Sequence, residues 1–269
     1  MNHLTSAIPA FLRTALSVMF QYRGEIILWA VWGVIYPAVA IAMWSAAIAG
    51  SATGGDIGGY AARDFAAYFL LTMIAGHVTT AWDVYEMGWQ VRSGRISPKL
   101  LRPVLPIWEA MSDNLAYKLL TLAVLVPIWC VVIWLTEPRF QTQWIHVIFG
   151  IPALLLAAAL SFIWGYVVAI ASFWVTKMDA VSEMWFAMSL FFGGRLGPIS
   201  VMPWPLGSVA AALPFQWMIW FPSEALIGRL DAATMLQGLA WQMGWLILGL
   251  IAFRVVWRRG LKHYSAVGA

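Results

Sequence analysis

Residues 89–110 read WQVRSGRISPKLLRPVLPIWEA. Arg92, Arg95, Lys99 and Arg102 place four positive charges within eleven residues, and Gly94, Pro98, Pro103 and Pro106 punctuate the backbone. The chain on either side is almost free of charge. A basic, broken segment between two long apolar runs has a direct physical reading. The runs cross a bilayer, and the basic segment turns between them on the cytoplasmic side.

Composition places the whole chain in that setting. Of 269 residues, 62% are hydrophobic and 10% charged, with 18 tryptophans. A soluble domain is about half apolar and about a quarter charged. The class is a polytopic, all-α membrane protein, read as one transmembrane domain over residues 1–269. The first apolar run is too long for a cleavable signal peptide and lacks a small-residue cleavage site. Cys130 is the single cysteine, so no intrachain disulfide forms, and its place in an apolar run makes it a small core or lipid-facing residue.

A helix needs about 20 apolar residues to cross the hydrocarbon core. Six stretches qualify: 26–49, 65–82, 114–135, 146–175, 183–202 and 234–257. Backbone amides in lipid must be satisfied within the segment, so these are helices, and Pro37, Pro127 and Pro152 are expected to kink them. Orientation follows from Lys and Arg in the short loops. With the N-terminus inside, Arg63, Arg139, Arg195 and Arg229 fall on the outer side, and the other twelve of the 16 Lys and Arg residues fall on the cytoplasmic side. Both termini are then cytoplasmic, and tryptophans near span ends suit an interfacial belt.

Three segments are not spans. Residues 4–24 carry Leu12, Leu16, Met19 and Phe20 near helical spacing, which predicts an amphipathic helix on the inner membrane surface. Residues 50–64 are glycine-rich and read as a flexible outer connector. Residues 203–229 are apolar but cut by Pro203, Pro205, Pro214 and Pro222, so no piece is long enough to cross. Two short helices that enter the outer leaflet and return fit this pattern, provided protein surrounds their backbone.

Catalytic and metal chemistry is missing from the sequence. There is no G-x-x-x-x-G-K-[ST] phosphate loop and no H-E-x-x-H or G-x-S-x-G motif. His3, His77, His146 and His263 are scattered without metal-ligand spacing. The aromatics lie inside apolar spans, which argues against a nucleic-acid partner. Two ionisable residues stand out as intramembrane polar groups. His77 lies near the middle of the second span, where a neutral ring bonded to a neighbouring helix is cheaper than a charge. Arg195 belongs to the outer part or end of the fifth span, where it reaches the 203–229 segment or the headgroups.

The order of elements and three segments resemble the membrane subunit of an ABC-2 type ABC exporter. Residues 86–108, EMGWQVRSGRISPKLLRPVLPIW, are similar to that family's loop of an acidic residue, then RSG, a spacer and LLRP. LPFQWMIWFPSEALIGR is similar to its outer segment before the last span, and the tail WRRGLKHYSAVGA to its basic ending. The resemblance implies a permease paired with a second, identical or related permease. It also implies two separate cytoplasmic ATPase subunits, which bind ATP and Mg²⁺ while this chain binds no cofactor and has no catalytic residue. A coupling helix within residues 84–100 docks on the ATPase, with Glu86, Arg92, Gly94, Arg95, Pro98 and Arg102 as the coupling residues. Pro214, Phe215 and Pro222 belong to the outer gate. The setting implied is the bacterial cytoplasmic membrane with its lipids. An ion-coupled secondary transporter is the alternative, although it would show more midplane carboxylates. A membrane enzyme or scaffold would need clustered polar residues at one depth.

Overall fold

The helices form where the sequence leaves the backbone no other partner. The computed structural model describes residues 2–50 and 55–264, and the side chains of all of these except 2–5, 23, 26, 29, 30 and 32. In chain order the elements are α1 (Asn2–Gln21), α2 (Arg23–Ala49), α3 (Ala62–Thr79), α4 (Asp83–Arg92), α5 (Ile96–Leu100), α6 (Pro106–Thr136), α7 (Trp144–Ala169), α8 (Asp179–Phe192), α9 (Leu206–Ala211), α10 (Trp220–Ile227) and α11 (Ala232–His263). Short 3₁₀ turns follow α7 and precede α9 and α10.

Four stretches are long and apolar enough to cross a membrane among the described residues: Ala62–Arg92, Pro106–Thr136, Trp144–Phe173 and Ala232–His263. Helix α2 runs on as a fifth apolar helix, of which Gly33–Ala49 satisfies the apolar criterion. Pro37, Pro127 and Pro152 all lie inside continuous helices. The expected fifth span, 183–202, is not one helix. Helix α8 stops after 14 residues at Phe192, and Gly194 turns the chain with φ +83°. At 1.5 Å per residue α8 rises roughly 21 Å, short of a full crossing. Helix α10 begins where α8 stops: the Trp220 amide donates to the Gly193 carbonyl at 3.1 Å.

Helix α3 is the buried centre, packed by α2, α6, α7 and α10. Its Phe65 stacks on Trp44 of α2 with centroids 4.5 Å apart, and Phe65, Phe69 and Tyr68 continue the aromatic column. Membrane helices gain little from the hydrophobic effect against lipid, so close packing carries their association. Small residues supply it here. Ala153 and Ala157 of α7 are fully buried, and Gly150 admits Leu226 of α10. A Cβ on Gly238 of α11 would lie 2.0 Å from the Phe221 ring of α10. Large apolar side chains point outward from the same helices, among them Leu28, Val39, Val131, Leu155 and Ile251, as a lipid-facing surface requires. Cys130 is likewise exposed.

Helix α1 packs along α6. Ala15 is buried and Leu12, Leu16 and Met19 half-buried, whereas Phe20 points away. The predicted stripe thus turns toward the protein, except at its last member. The glycine-rich connector is not loose in its described part. Gly58 and Gly59 adopt φ +59° and +78°, Ile57 and Tyr60 exchange backbone hydrogen bonds, and Gly58 abuts Val201. Residues 51–54 and the last five residues of the tail motif lie outside the described residues.

Gly238→Val is expected to lower stability by about 1–3 kcal/mol through overpacking. Adding Phe221→Leu should recover part of the loss, because it vacates the contested volume. Thermal unfolding in detergent reads both, and an unchanged melt for the single variant would mean that α10 and α11 do not meet at this point.

Candidate functional site

The basic segment of residues 89–110 folds as two short helices around a glycine turn. Gly94 adopts φ +72°, a left-handed conformation that favours glycine. Helix α4 ends just before it and α5, carrying Pro98 in its first turn, begins two residues later. Residues 84–100 thus comprise most of α4, the turn and α5.

One face of α4 is anchored. Val84, Met87 and Gly88 are buried, a Cβ on Gly88 would sit 2.8 Å from Met178, and Ser182 of α8 donates to the Val84 carbonyl at 3.3 Å. Asp83 accepts from Asn114 at 3.0 Å, and Asn114 accepts from Lys118 at 3.2 Å, which ties α4 to α6. The basic residues hold the turn itself. Arg92 donates to the Thr176 carbonyl at 3.3 Å, and Arg95 lies 4.4 Å above the Trp89 ring. Lys99 and Arg102 pair with Glu109 at 3.3 and 2.9 Å. Tyr264 and Ser97 hydroxyls approach to 2.5 Å, joining the C-terminal end to α5. The other face of α4 is exposed: Trp82, Tyr85 and Trp89 are 40%, 37% and 41% accessible and flank Glu86. Glu86 accepts from Gln90 at 2.9 Å and stays on this open face.

At the opposite end of the bundle, residues 195–229 fold back into the protein. Phe215 packs on Trp185 of α8 with centroids 5.0 Å apart, and Pro214, Phe215 and Pro222 are all buried. Gln242 of α11 donates to the carbonyls of Trp217 and Ala153 at 2.8 and 2.9 Å. Ten residues separate Gln242 from the start of α11, so the segment reaches roughly 15 Å along that helix. Helix α10 then returns to the loop before α7, where Gln141 donates to the Ile227 carbonyl at 2.9 Å. Gly228, at φ +93°, closes α10 where a Cβ would strike the Gln141 carbonyl.

This end holds a polar cluster that the sequence reading did not single out. Tyr60 donates to Glu224 at 2.8 Å, Arg229 lies 3.7 Å from the same carboxylate, and its guanidinium covers the Tyr60 ring at 3.7 Å. Arg229 also donates to the Gly59 carbonyl at 3.0 Å, which clips the connector onto the folded-back segment. Glu224 is 2% exposed. Burial pushes its carboxyl up to about 7, against the opposing pull of the Tyr60 hydrogen bond and Arg229. The available signal was an acid, alone in an otherwise apolar proline-cut segment, with an arginine five residues on.

The two intramembrane residues line one cavity but differ in their partners. His77 is half-buried, and its Nε2 lies 3.3 Å from both the Lys118 carbonyl and the Thr121 hydroxyl. It is bonded to a neighbouring helix, α6. Arg195 turns inward rather than to the headgroups, and a Cβ on Gly76 of α3 would sit 3.3 Å from its Nη1. The structure therefore does not join His77 and Arg195 to the coupling residues or to the Glu224 cluster. Among the described residues no group of acids, histidines and cysteines is arranged to hold a metal.

An all-helical bundle with outward apolar faces and a seated helix pair between α3 and α6 defines a polytopic membrane protein. A family model described as "ABC-2 family transporter protein" matches residues 34–268, and the chain belongs to that family. Among curated proteins none matches the chain.

The raised Glu224 pKa fixes the sign of a pH effect. The folded state favours the protonated acid, so stability is full below the ordinary value of 4.5 and is lost as pH rises through about 7. The loss is on the order of 3 kcal/mol. Melts between pH 4.5 and 8 should show this slope in the wild type and a flatter profile in Glu224→Gln. Parallel profiles would remove Glu224 as its source.

Proposed function

We propose that this chain is the membrane-spanning permease subunit of an ATP-driven ABC-2 type exporter. It pairs with a second permease, identical or homologous, and the transported molecule passes along their interface. Two ATPase subunits bind ATP and Mg²⁺ and dock from the cytoplasm. Both termini face the cytoplasm, and the membrane is the bacterial cytoplasmic membrane.

Family membership supports the transport role, and the two-faced character of α4 carries the docking reading. Its buried face is locked to Met178, Ser182 and α6, so a push on the helix moves long helices rather than a loose loop. Its open face presents Tyr85, Glu86 and Trp89, residue types that anchor protein interfaces in the case of the aromatics and steer them in the case of the charge. Arg92, Arg95 and Arg102 act chiefly within the elbow, as braces for Gly94 and Pro98, and Glu86 is the direct charged contact. On the outer side, Pro214, Phe215 and Pro222 form the wall that shifts when the pathway opens.

The test is co-purification of the tagged chain with the ATPase encoded beside it. Wild type should retain the ATPase, and Glu86→Arg with Arg95→Glu should weaken it at least tenfold, about 1.4 kcal/mol. Equal retention by both forms would move the docking element away from α4. No retention by a folded wild-type chain would sink the exporter reading.

A further inference from the structure

We infer that the cavity between α2, α3, α6 and α8 binds an anionic amphiphile, a molecule with a phosphate or carboxylate head and an aliphatic tail, and that the Arg195 guanidinium anchors the head. This deepens the permease reading, on which it rests only in treating the bound molecule as cargo.

The cavity is open to the surface on one side and has a volume of about 500 Å³. That is within the roughly 300–1,000 Å³ range of small-molecule sites. Its lining is mainly apolar: Val39 of α2 and Phe186 of α8 stand at its exposed mouth, and Met73 of α3, Leu125 of α6 and Leu190 of α8 lie within. Arg195 is the cation in this wall. None of the ion pairs among the described residues uses it, and its Nε is buried without a hydrogen-bond partner. Arginine stays charged at any physiological pH, and a charge in such surroundings is costly unless an anion meets it. The guanidinium fork matches a carboxylate or phosphate with two parallel hydrogen bonds.

The position of the charge is built. Tyr68 donates to the Gly194 carbonyl at 2.5 Å, and Trp44 donates to the Leu196 carbonyl at 2.9 Å, so the backbone is pinned on both sides of Arg195. Gly76 leaves the room into which the side chain extends. Of the other titratable side chains of the wall, Tyr36 and Tyr117 are neutral phenols at physiological pH and bring no anion to Arg195, and His77 is already engaged with α6 through Lys118 and Thr121. The apolar walls select for a tail, and the lone cation selects for an anionic head over a cationic or zwitterionic one.

Binding to the full chain in phosphatidylcholine nanodiscs tests this. Oleate and lysophosphatidate should bind saturably, at least tenfold tighter than lysophosphatidylcholine or inorganic phosphate, and should raise the melting temperature. Arg195→Gln should weaken them at least tenfold, Arg195→Lys should retain part of the affinity, and Leu190→Trp should block the cavity with Arg195 intact. Displacement by phosphatidylglycerol would assign the site to a resident membrane lipid, and its absence to a single-chain ligand. Both keep Arg195 as the anchor. Unchanged affinity in Arg195→Gln, or equal binding of lysophosphatidylcholine or inorganic phosphate, overturns the inference. A loss of permease dimer in Arg195→Gln with ligand binding intact overturns it too, in favour of pairing with a second copy. The assay needs no ATPase, so its result is independent of the co-purification that tests the permease reading.

Discussion

The hydrogen bond from the Trp220 amide to the Gly193 carbonyl joins α10 to the end of α8, and the end of the bundle opposite α4 is arranged around it. A helix that stops partway across a membrane leaves carbonyls that lipid cannot satisfy. Here α10 is brought to the end of α8, and Gly193 and Gly194 allow the backbones to approach. The chain between them must then leave and return through protein. Tyr68 and Trp44 receive it on one side, and Gln242 holds it on the other. The broken span, the buried prolines and the inward turn of Arg195 all follow from that one interruption.

The elbow formed by α4 and α5 is held differently. A short helix at the end of a bundle is not fixed by one weak contact. Helix α4 is fixed by steric contact at Gly88, by the Ser182 hydrogen bond and by the Asp83–Asn114–Lys118 chain. The four basic residues that made the segment conspicuous are largely consumed in shaping the turn. Arg95 over Trp89 and the pairing of Lys99 and Arg102 with Glu109 keep α4 and α5 in register with the start of α6. What remains outward is the stripe of Trp82, Tyr85, Glu86 and Trp89.

Much of this was legible along the chain. Hydrophobic length located α2, α3, α6, α7 and α11, because the bilayer imposes both length and apolarity. Gly94 and Pro98 marked the elbow, and the four prolines of 203–229 marked short helices that fold back. The end of α8 was not legible. FFGGRLGPISVM is apolar enough to continue a span, and its two glycines are tolerated within membrane helices. Only packing against Trp220 and Tyr68 makes them a stop. The connector 50–64 read as loose for a similar reason. Its positive-φ glycines are ordered by Val201 and Arg229, which lie far away in sequence.

The sequence by itself therefore determined the class of protein, its helical state and the family features of its loops. These depend on local quantities: apolar length, charge in loops, and glycine and proline at turns. Tertiary structure decided which charged residues matter and where they sit. Glu224 became a buried, partnered acid because Tyr60 of the distant connector meets it and Arg229, five residues on, folds over both. Arg195 became a cavity wall because its backbone is fixed by α2 and α3. Burial, pairing and solvent exclusion are properties of neighbours brought together in space, and no local pattern encodes them.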